Sequence, residues 1–288
     1  MTRICLIGFG EVGQILAQDL AAGGAAELSA YDLLFADPES LPSRALPRHA
    51  VRDCGTAAQA VAGAELVISA VTAAQDVEAA RSVAGALAEG CFFLDLNSAS
   101  PGMKQASAAI IDGAGGRYVE AAVMAPFPPK RLGSPMLLGG PNAQAFADLA
   151  RPLGFSGLEV FSDQVGQASA TKMCRSVMIK GIEALLTESM LAARHYGVEA
   201  TVLASLSDLL PLPDWEATAR YMISRSLEHG VRRAEEMREA ARTVEEAHVS
   251  PLMSRAIAER QDWAADFKAA HTETDLGAML DHIIRKTA

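Results

Sequence analysis

"RICLIGFGEVGQILAQDLAA", residues Arg3 to Ala22, decides the fold. RICLI is apolar and strand-prone, while Glu11 to Ala22 repeats its apolar residues at helical spacing. Between them Gly8, Gly10 and Gly13 stand in the G-x-G-x-x-G spacing. That spacing is a weak signal alone, but between a strand and a helix it marks a turn that receives a dinucleotide pyrophosphate. Gly8 permits the tight turn, Gly10 lets the pyrophosphate reach the backbone, and Gly13 lets helix and strand pack closely. Phe9 lies inside the turn, and the amides of Glu11 and Val12 are expected to face phosphate oxygens from the helix start. Asp32 ends the next strand-like run, "ELSAYD". A carboxylate there accepts from the adenosine ribose hydroxyls and repels a 2′-phosphate. Leu33 and Leu34 follow with no arginine beside them, so NAD is expected in preference to NADP. The competing readings are an empty glycine turn and an ordinary turn aspartate.

Outward from this stretch, short apolar runs alternate with helical ones. "ELVISAV" (Glu65 to Val71), "CFFLDLN" (Cys91 to Asn97), "RYVEAAVM" and "SPMLLGG" read as further strands. Strand, helix, strand at this spacing predicts a doubly wound, mainly parallel α/β sheet covered by helices. From about Asp163 the strands stop, and the remainder reads as helices broken at "PLPDW" (Pro211 to Trp215) and near Pro251. The expected organisation is a nucleotide-binding domain over 1–162 and an all-α domain over 163–288.

Composition narrows the partners. The chain has 288 residues, half of them hydrophobic, with a net charge of −10. No basic cluster favours nucleic acid or an anionic membrane. No apolar stretch approaches the roughly 20 residues of a membrane helix. Cys5, Cys54, Cys91 and Cys174 are scattered, as are the six histidines, so neither a disulfide framework nor a metal site is expected. With no charged leader before the first strand, the expected location is the cytoplasm.

The second half opens on "SATKMCRSVMIKG", Ser169 to Gly181, where Lys172, Ser176 and Lys180 recur every fourth residue on a helix that is otherwise largely apolar. Such a line is either a solvated face or a functional stripe.

These motifs, in order, resemble those of the β-hydroxyacid dehydrogenases, the family of 3-hydroxyisobutyrate, tartronate semialdehyde and 6-phosphogluconate dehydrogenases. "RICLIGFGEVG" resembles the family's opening strand and turn. "LDLNSASP" (Leu94 to Pro101) is similar to its Asp-x-Ser-Thr-x-Ser-Pro motif. "GQASATK" (Gly166 to Lys172) resembles its G-x-x-x-x-x-K segment, and "TESMLAARHYGVEA" the end of its interdomain helix. "RSVMIKGIEALL" further resembles a 6-phosphogluconate-dehydrogenase-like branch with its own carboxyl-terminal domain type. The resemblance implies an α/β Rossmann domain followed by an all-α domain, an active site between the two, Lys172 as the catalytic lysine, and Val71, Thr72 and Asn97 lining the nicotinamide. It also implies pairing of subunits through the helical domain, as a homodimer or higher homo-oligomer.

Three departures stand out. Met124, Ala125 and Pro126 replace the Ser-Gly-Gly that holds the substrate carboxylate in the family. Ser176 stands where the family has asparagine, and Arg233 and Glu235 are nearest to a later Lys-Asp pair. Met124, Ala125, Ser176, Lys180 and Arg233 are therefore the candidate substrate contacts, with Lys180 as an anion anchor.

The expected reaction is hydride transfer between a small, anionic 3-hydroxy acid, or a related β-hydroxy compound, and a nicotinamide. A partly desolvated lysine gives up its proton more readily, so Lys172 would take the hydroxyl proton as general base and return it as acid. The alternatives are a non-catalytic NAD-binding regulatory protein and an imine reductase; imine-reducing relatives generally replace the lysine that is retained here.

Overall fold

The computed structural model describes residues 2–23, 27–209 and 214–287. The chain divides into two compact units, Met1–Lys172 and Met173–Ala288.

The first unit is a single eight-stranded sheet. Its strands are β1 (Arg3–Ile7), β2 (Glu27–Tyr31), β3 (Arg52–Asp53), β4 (Leu66–Ser69), β5 (Phe92–Asp95), β6 (Arg117–Val123), β7 (Met136–Gly139) and β8 (Leu158–Ser162). Their order is β3-β2-β1-β4-β5-β6-β7-β8, parallel throughout except for the antiparallel β6–β7 pair. Around it lie α1 (Glu11–Ala22), α2 (Leu41–Ala45), α3 (Ala57–Val61), α4 (Asp76–Ala84), α5 (Pro101–Gly113), α6 (Phe127–Lys130) and α7 (Ala143–Ala150).

The strands read as continuous apolar runs because both faces of the sheet are covered. Side chains alternate between faces. Ile4, Leu6, Leu66, Ile68, Phe92 and Leu94 enter one core with Leu16 and Leu20 of α1. Cys5, Ile7, Val67 and Phe93 enter the other, with Val83 of α4 and Ile111 of α5. Strand order reverses between β1 and β4, and such a switch point opens a crevice at the carboxyl ends of the strands. The expected strands all form. β3 and β8 were not expected: β3 is only two residues long, and β8 carries half-exposed and exposed residues at an edge of the sheet.

Helices α8 (Gln167–Tyr196), α9 (Glu199–Leu209), α10 (Trp215–Glu246), α11 (Leu252–Ala265) and α12 (Leu276–Thr287) follow. Within the second unit Leu186, Met190, Trp215, Ile223, Leu227, Met279 and Ile283 share one core. Asp214 caps α10 by accepting from the Ala217 amide at 2.9 Å. The expected helix break at Pro211–Pro213 lies outside the described residues, while that near Pro251 separates α10 from α11. No described helix is long and apolar enough to cross a membrane.

Candidate active site

The three glycines of the first turn divide by what surrounds them. Gly8 has φ +97°, and a Cβ there would overlap the Ala70 carbonyl oxygen. A Cβ on Gly13 would overlap the Gly8 carbonyl oxygen. Packing within the protein therefore explains both. Gly10 has φ −71°, open to any residue, and nothing lies within 4 Å of where its Cβ would stand. Space in front of Gly10 is what a pyrophosphate needs to meet the backbone. Gly10 also starts α1 with no side-chain cap, which leaves first-turn amides for an anion. The residues fit a dinucleotide.

Phe9 contributes its backbone to this turn. Its ring is buried, packed edge-on against Phe35 and His49. The Phe9 amide donates to Asp32 Oδ2 at 2.7 Å, and the Leu34 amide to Asp32 Oδ1 at 2.9 Å. Asp32 therefore braces the glycine turn and is half-buried, with carboxylate lone pairs to spare. Leu33 and Leu34 beside it are exposed.

At the carboxyl end of β5, Asn97 is buried and employed on every side. Its Oδ1 accepts from the Val71 amide at 2.7 Å, and its Nδ2 donates to Ser69 Oγ (3.0 Å) and Asp76 Oδ1 (2.6 Å). It fixes the loop of Val71 and Thr72 from beneath. The next residue, Ser98, accepts from Lys172 Nζ at 2.6 Å. Sequence reasoning missed Ser98, although it occupies the threonine position of the Asp-x-Ser-Thr-x-Ser-Pro motif. Thus Lys172, Ser98, Asn97 and the Val71 loop come together at one end of the sheet.

A buried charge cluster supports this end. Lys104 of α5 pairs with Asp95 Oδ1 at 2.5 Å, and Tyr118 donates to Asp95 Oδ2 at 2.7 Å. Asp95 Oδ1 also receives the Asn97 amide at 2.9 Å. Burial pushes the Asp76 carboxyl up to about 7, and Asp95 adds to that against the pull of Lys104. For Lys104 burial is the largest influence and lowers its pKa, but the carboxylates of Asp95 and Asp76 outweigh it and hold the ammonium charged.

Met124 and Ala125 are half-buried and Pro126 exposed after β6; the Met124 amide donates to the Pro135 carbonyl at 2.8 Å. The remaining candidates lie in the second unit. Lys180 Nζ donates to Ser176 Oγ at 3.0 Å and pairs with Glu236 Oε2 at 2.7 Å. Arg233 pairs with buried Glu183, which also accepts from Gln261. Burial raises the Glu183 carboxyl and lowers the Arg233 guanidinium from their ordinary values. Both cations expected at a substrate anion thus have carboxylate partners of their own. No cluster of three or more His, Cys, Asp or Glu able to hold a metal gathers among the described residues.

Residues 3–161 match the NAD binding domain of 6-phosphogluconate dehydrogenase, and residues 193–264 match a domain of unknown function (DUF1932). A conserved hypothetical protein from Sinorhizobium meliloti 1021 is 38% identical, with a TM-score of 0.79, over 99% of this chain and 97% of that one. A conserved protein of unknown function, described as structurally similar to 3-hydroxyacid dehydrogenases, is 29% identical. It has a TM-score of 0.73 and covers 92% of this chain and 97% of its own. The 3-hydroxyisobutyrate dehydrogenase of Mycobacterium tuberculosis shares the fold at 19% identity and a TM-score of 0.73, over 98% and 99% of the two chains. No curated protein matches. With a dinucleotide cradle at the β1–β4 switch point, and with the NAD-binding domain matched over more than half its length, the chain belongs to the β-hydroxyacid dehydrogenase family of nicotinamide-dependent oxidoreductases.

Proposed function

We propose that the chain is an NAD-dependent dehydrogenase that interconverts a small 3-hydroxy acid, or a related β-hydroxy compound, and its carbonyl form. Lys172 is the general acid and base. The observation that carries this reading is the Lys172–Ser98 hydrogen bond of 2.6 Å at the carboxyl edge of β5, beside the loop that Asn97 holds. Bound NAD supplies the hydride acceptor. Gly8, Gly10 and Gly13 cradle its pyrophosphate, Asp32 takes the adenosine ribose, and Val71 and Thr72 flank the nicotinamide.

Lys172 receives the substrate hydroxyl proton and opposes the negative charge that develops on that oxygen. Ser98 fixes where the amine stands. Met124 and Ala125 line the substrate in place of the family's polar carboxylate site, which suits a less polar group there. Ser176, Lys180 and Arg233 keep their proposed role toward a substrate anion only in competition with Glu236 and Glu183. The chain acts as a homodimer or larger assembly; Met178 and Leu185, exposed one above the other on α8, support this.

The test mixes protein, NAD or NADP and a panel of hydroxy acids, and follows absorbance of the reduced cofactor. Lys172→Ala should bind NAD as the parent does yet turn over roughly a hundredfold more slowly or worse. Near-parental turnover by that variant would remove Lys172 from the chemistry. Equal or better kcat/KM with NADP would remove Asp32 from the ribose.

A further inference from the structure

Two carboxylates lie side by side in the middle of the sheet. Asp95 on β5 and Glu120 on β6 are register partners on adjacent parallel strands, and both are fully buried. Asp95 is employed by Lys104, Tyr118 and the Asn97 amide. Glu120 has a different task. Its Oε2 accepts from the Gly166 amide at 2.7 Å and its Oε1 from the Ser169 amide at 2.6 Å. Those amides bracket the first turn of α8, whose residue Lys172 follows Ser169 by three positions, about 4.5 Å along the axis.

Burying an ionised carboxylate is costly unless charge and hydrogen bonds answer it. Three features answer it here. The positive end of a thirty-residue helix faces the group. Both oxygens accept from backbone amides. The Lys104 ammonium feels Glu120 as well as Asp95 and Asp76. Neighbouring β7 also leaves room: a Cβ on Gly139, the register partner of Glu120, would come 2.5 Å from Glu120 Oε2.

We infer that Glu120 is a positioning residue for Lys172: its buried carboxylate sets where α8 begins, and so where the Lys172 amine stands against Ser98. Asp95 does the same for the other side of that hydrogen bond, because it holds the Asn97 amide directly before Ser98. The two partners of the Lys172–Ser98 contact are thus fixed from two adjacent residues of one sheet. The consequence for turnover rests on the acid–base role proposed for Lys172; the placement of the amine does not.

The test compares the parent with Glu120→Gln and Glu120→Asp. Glutamine keeps the volume but can accept through one oxygen only; aspartate keeps the charge and draws it back by one methylene. In Glu120→Gln, hydrogen exchange across residues 167–172 should speed up at least tenfold. Acetylation of Lys172, read by mass spectrometry against exposed Lys130, should rise at least threefold. NAD affinity should stay within twofold, since the glycine turn is untouched. Once a substrate is known, kcat should fall tenfold or more with the KM for NAD unchanged, and Glu120→Asp should recover part of it. Unchanged Lys172 acetylation in a folded Glu120→Gln protein overturns the inference, whatever the activity. Should that variant fail to fold, Glu120→Asp decides by the same two chemical readouts. A parent inactive on every substrate would count against the proposed reaction only, because exchange and acetylation need no turnover.

Discussion

The two units bury their charges differently. In the first, Lys104, Asp95, Asp76, Tyr118, Asn97, Ser69 and Ser107 form one connected network in which every side chain has a named partner. In the second, Glu183, Arg233 and Gln261 are buried as deeply, yet Arg233 Nε and Gln261 Oε1 have no partner. Among the described residues five buried side-chain atoms lack one, and all five belong to residues from 199 to 261. Buried polar groups without partners lose their hydration and recover nothing. The first network is completed because its members hold backbone: the amides of Val71 and Asn97 end on it. The second joins helices to each other side chain to side chain, and slack in one bond moves no loop.

The largest expected effect tests the saturated network. Lys104→Met keeps the unbranched stem of the side chain and removes the ammonium that faces Asp95 and Asp76. Two buried carboxylates then lack their counter-charge, a loss of about 3–5 kcal/mol by comparison with other broken buried pairs. Urea unfolding at pH 8 measures it. The loss should shrink at pH 5, where Asp76 is protonated and needs no counter-charge. A Lys104→Met protein as stable as the parent at pH 8 would mean that the cluster is not charged.

The second unit should be more forgiving. Arg233→Met alone leaves Glu183 buried beside Gln261 and should destabilise by about 2 kcal/mol, within the range for an orphaned buried acceptor. Adding Glu183→Leu should return most of that, because an incompletely bonded ion pair is often matched by apolar residues. If the double variant is worse than the single one, the pair contributes more than its missing partners suggest.

This contrast marks what could be read in advance. The alternating cores of β1, β4 and β5, the glycine turn and Asp32 were legible because each depends on local spacing. Lys104 was not. On α5 it shares a face with buried Ser107, Ala108 and Ile111, so the helical pattern puts it inside, but a lone lysine in "PGMKQASAAIIDG" reads as surface unless its carboxylate partners on other elements are known. Glu120 was hidden for the same reason, its partners being amides 46 and 49 residues away. The run Ala234 to His248, along and just past the end of α10, is dense in charged residues and by spacing alone reads as a solvated face. Glu239 within it is buried and paired with Arg242, and Glu236 meets Lys180, since charges there serve neighbouring helices as well as water. Long-range pairing is set by topology, and spacing along the chain does not carry it.

The smallest effect sharpens the comparison most, because it keeps the Asn97 hydrogen bond and changes the charge of one member. Asp76→Asn keeps an oxygen for Asn97 Nδ2, turns a donor toward Ser107 Oγ and removes the ability to ionise. In the folded chain burial raises the Asp76 carboxyl to about 7, from an ordinary 3.8 when unfolded. Between those values the folded state holds a proton that the unfolded state has released. The parent's stability from this group is therefore complete below about pH 4 and is lost as pH rises through about 7. Each pH unit inside the window is worth at most about 1.4 kcal/mol, and the value of about 7 already includes the pull of Lys104. Asp76→Asn does not titrate, so its stability relative to the parent should rise from pH 6 to pH 8, by on the order of 1 kcal/mol. Paired urea titrations at the two pH values measure that difference and cancel every other titrating group. A flat difference would mean that Asp76 ionises in the fold as readily as in water. A difference falling with pH would mean that Lys104 favours the Asp76 carboxylate more strongly than burial opposes it.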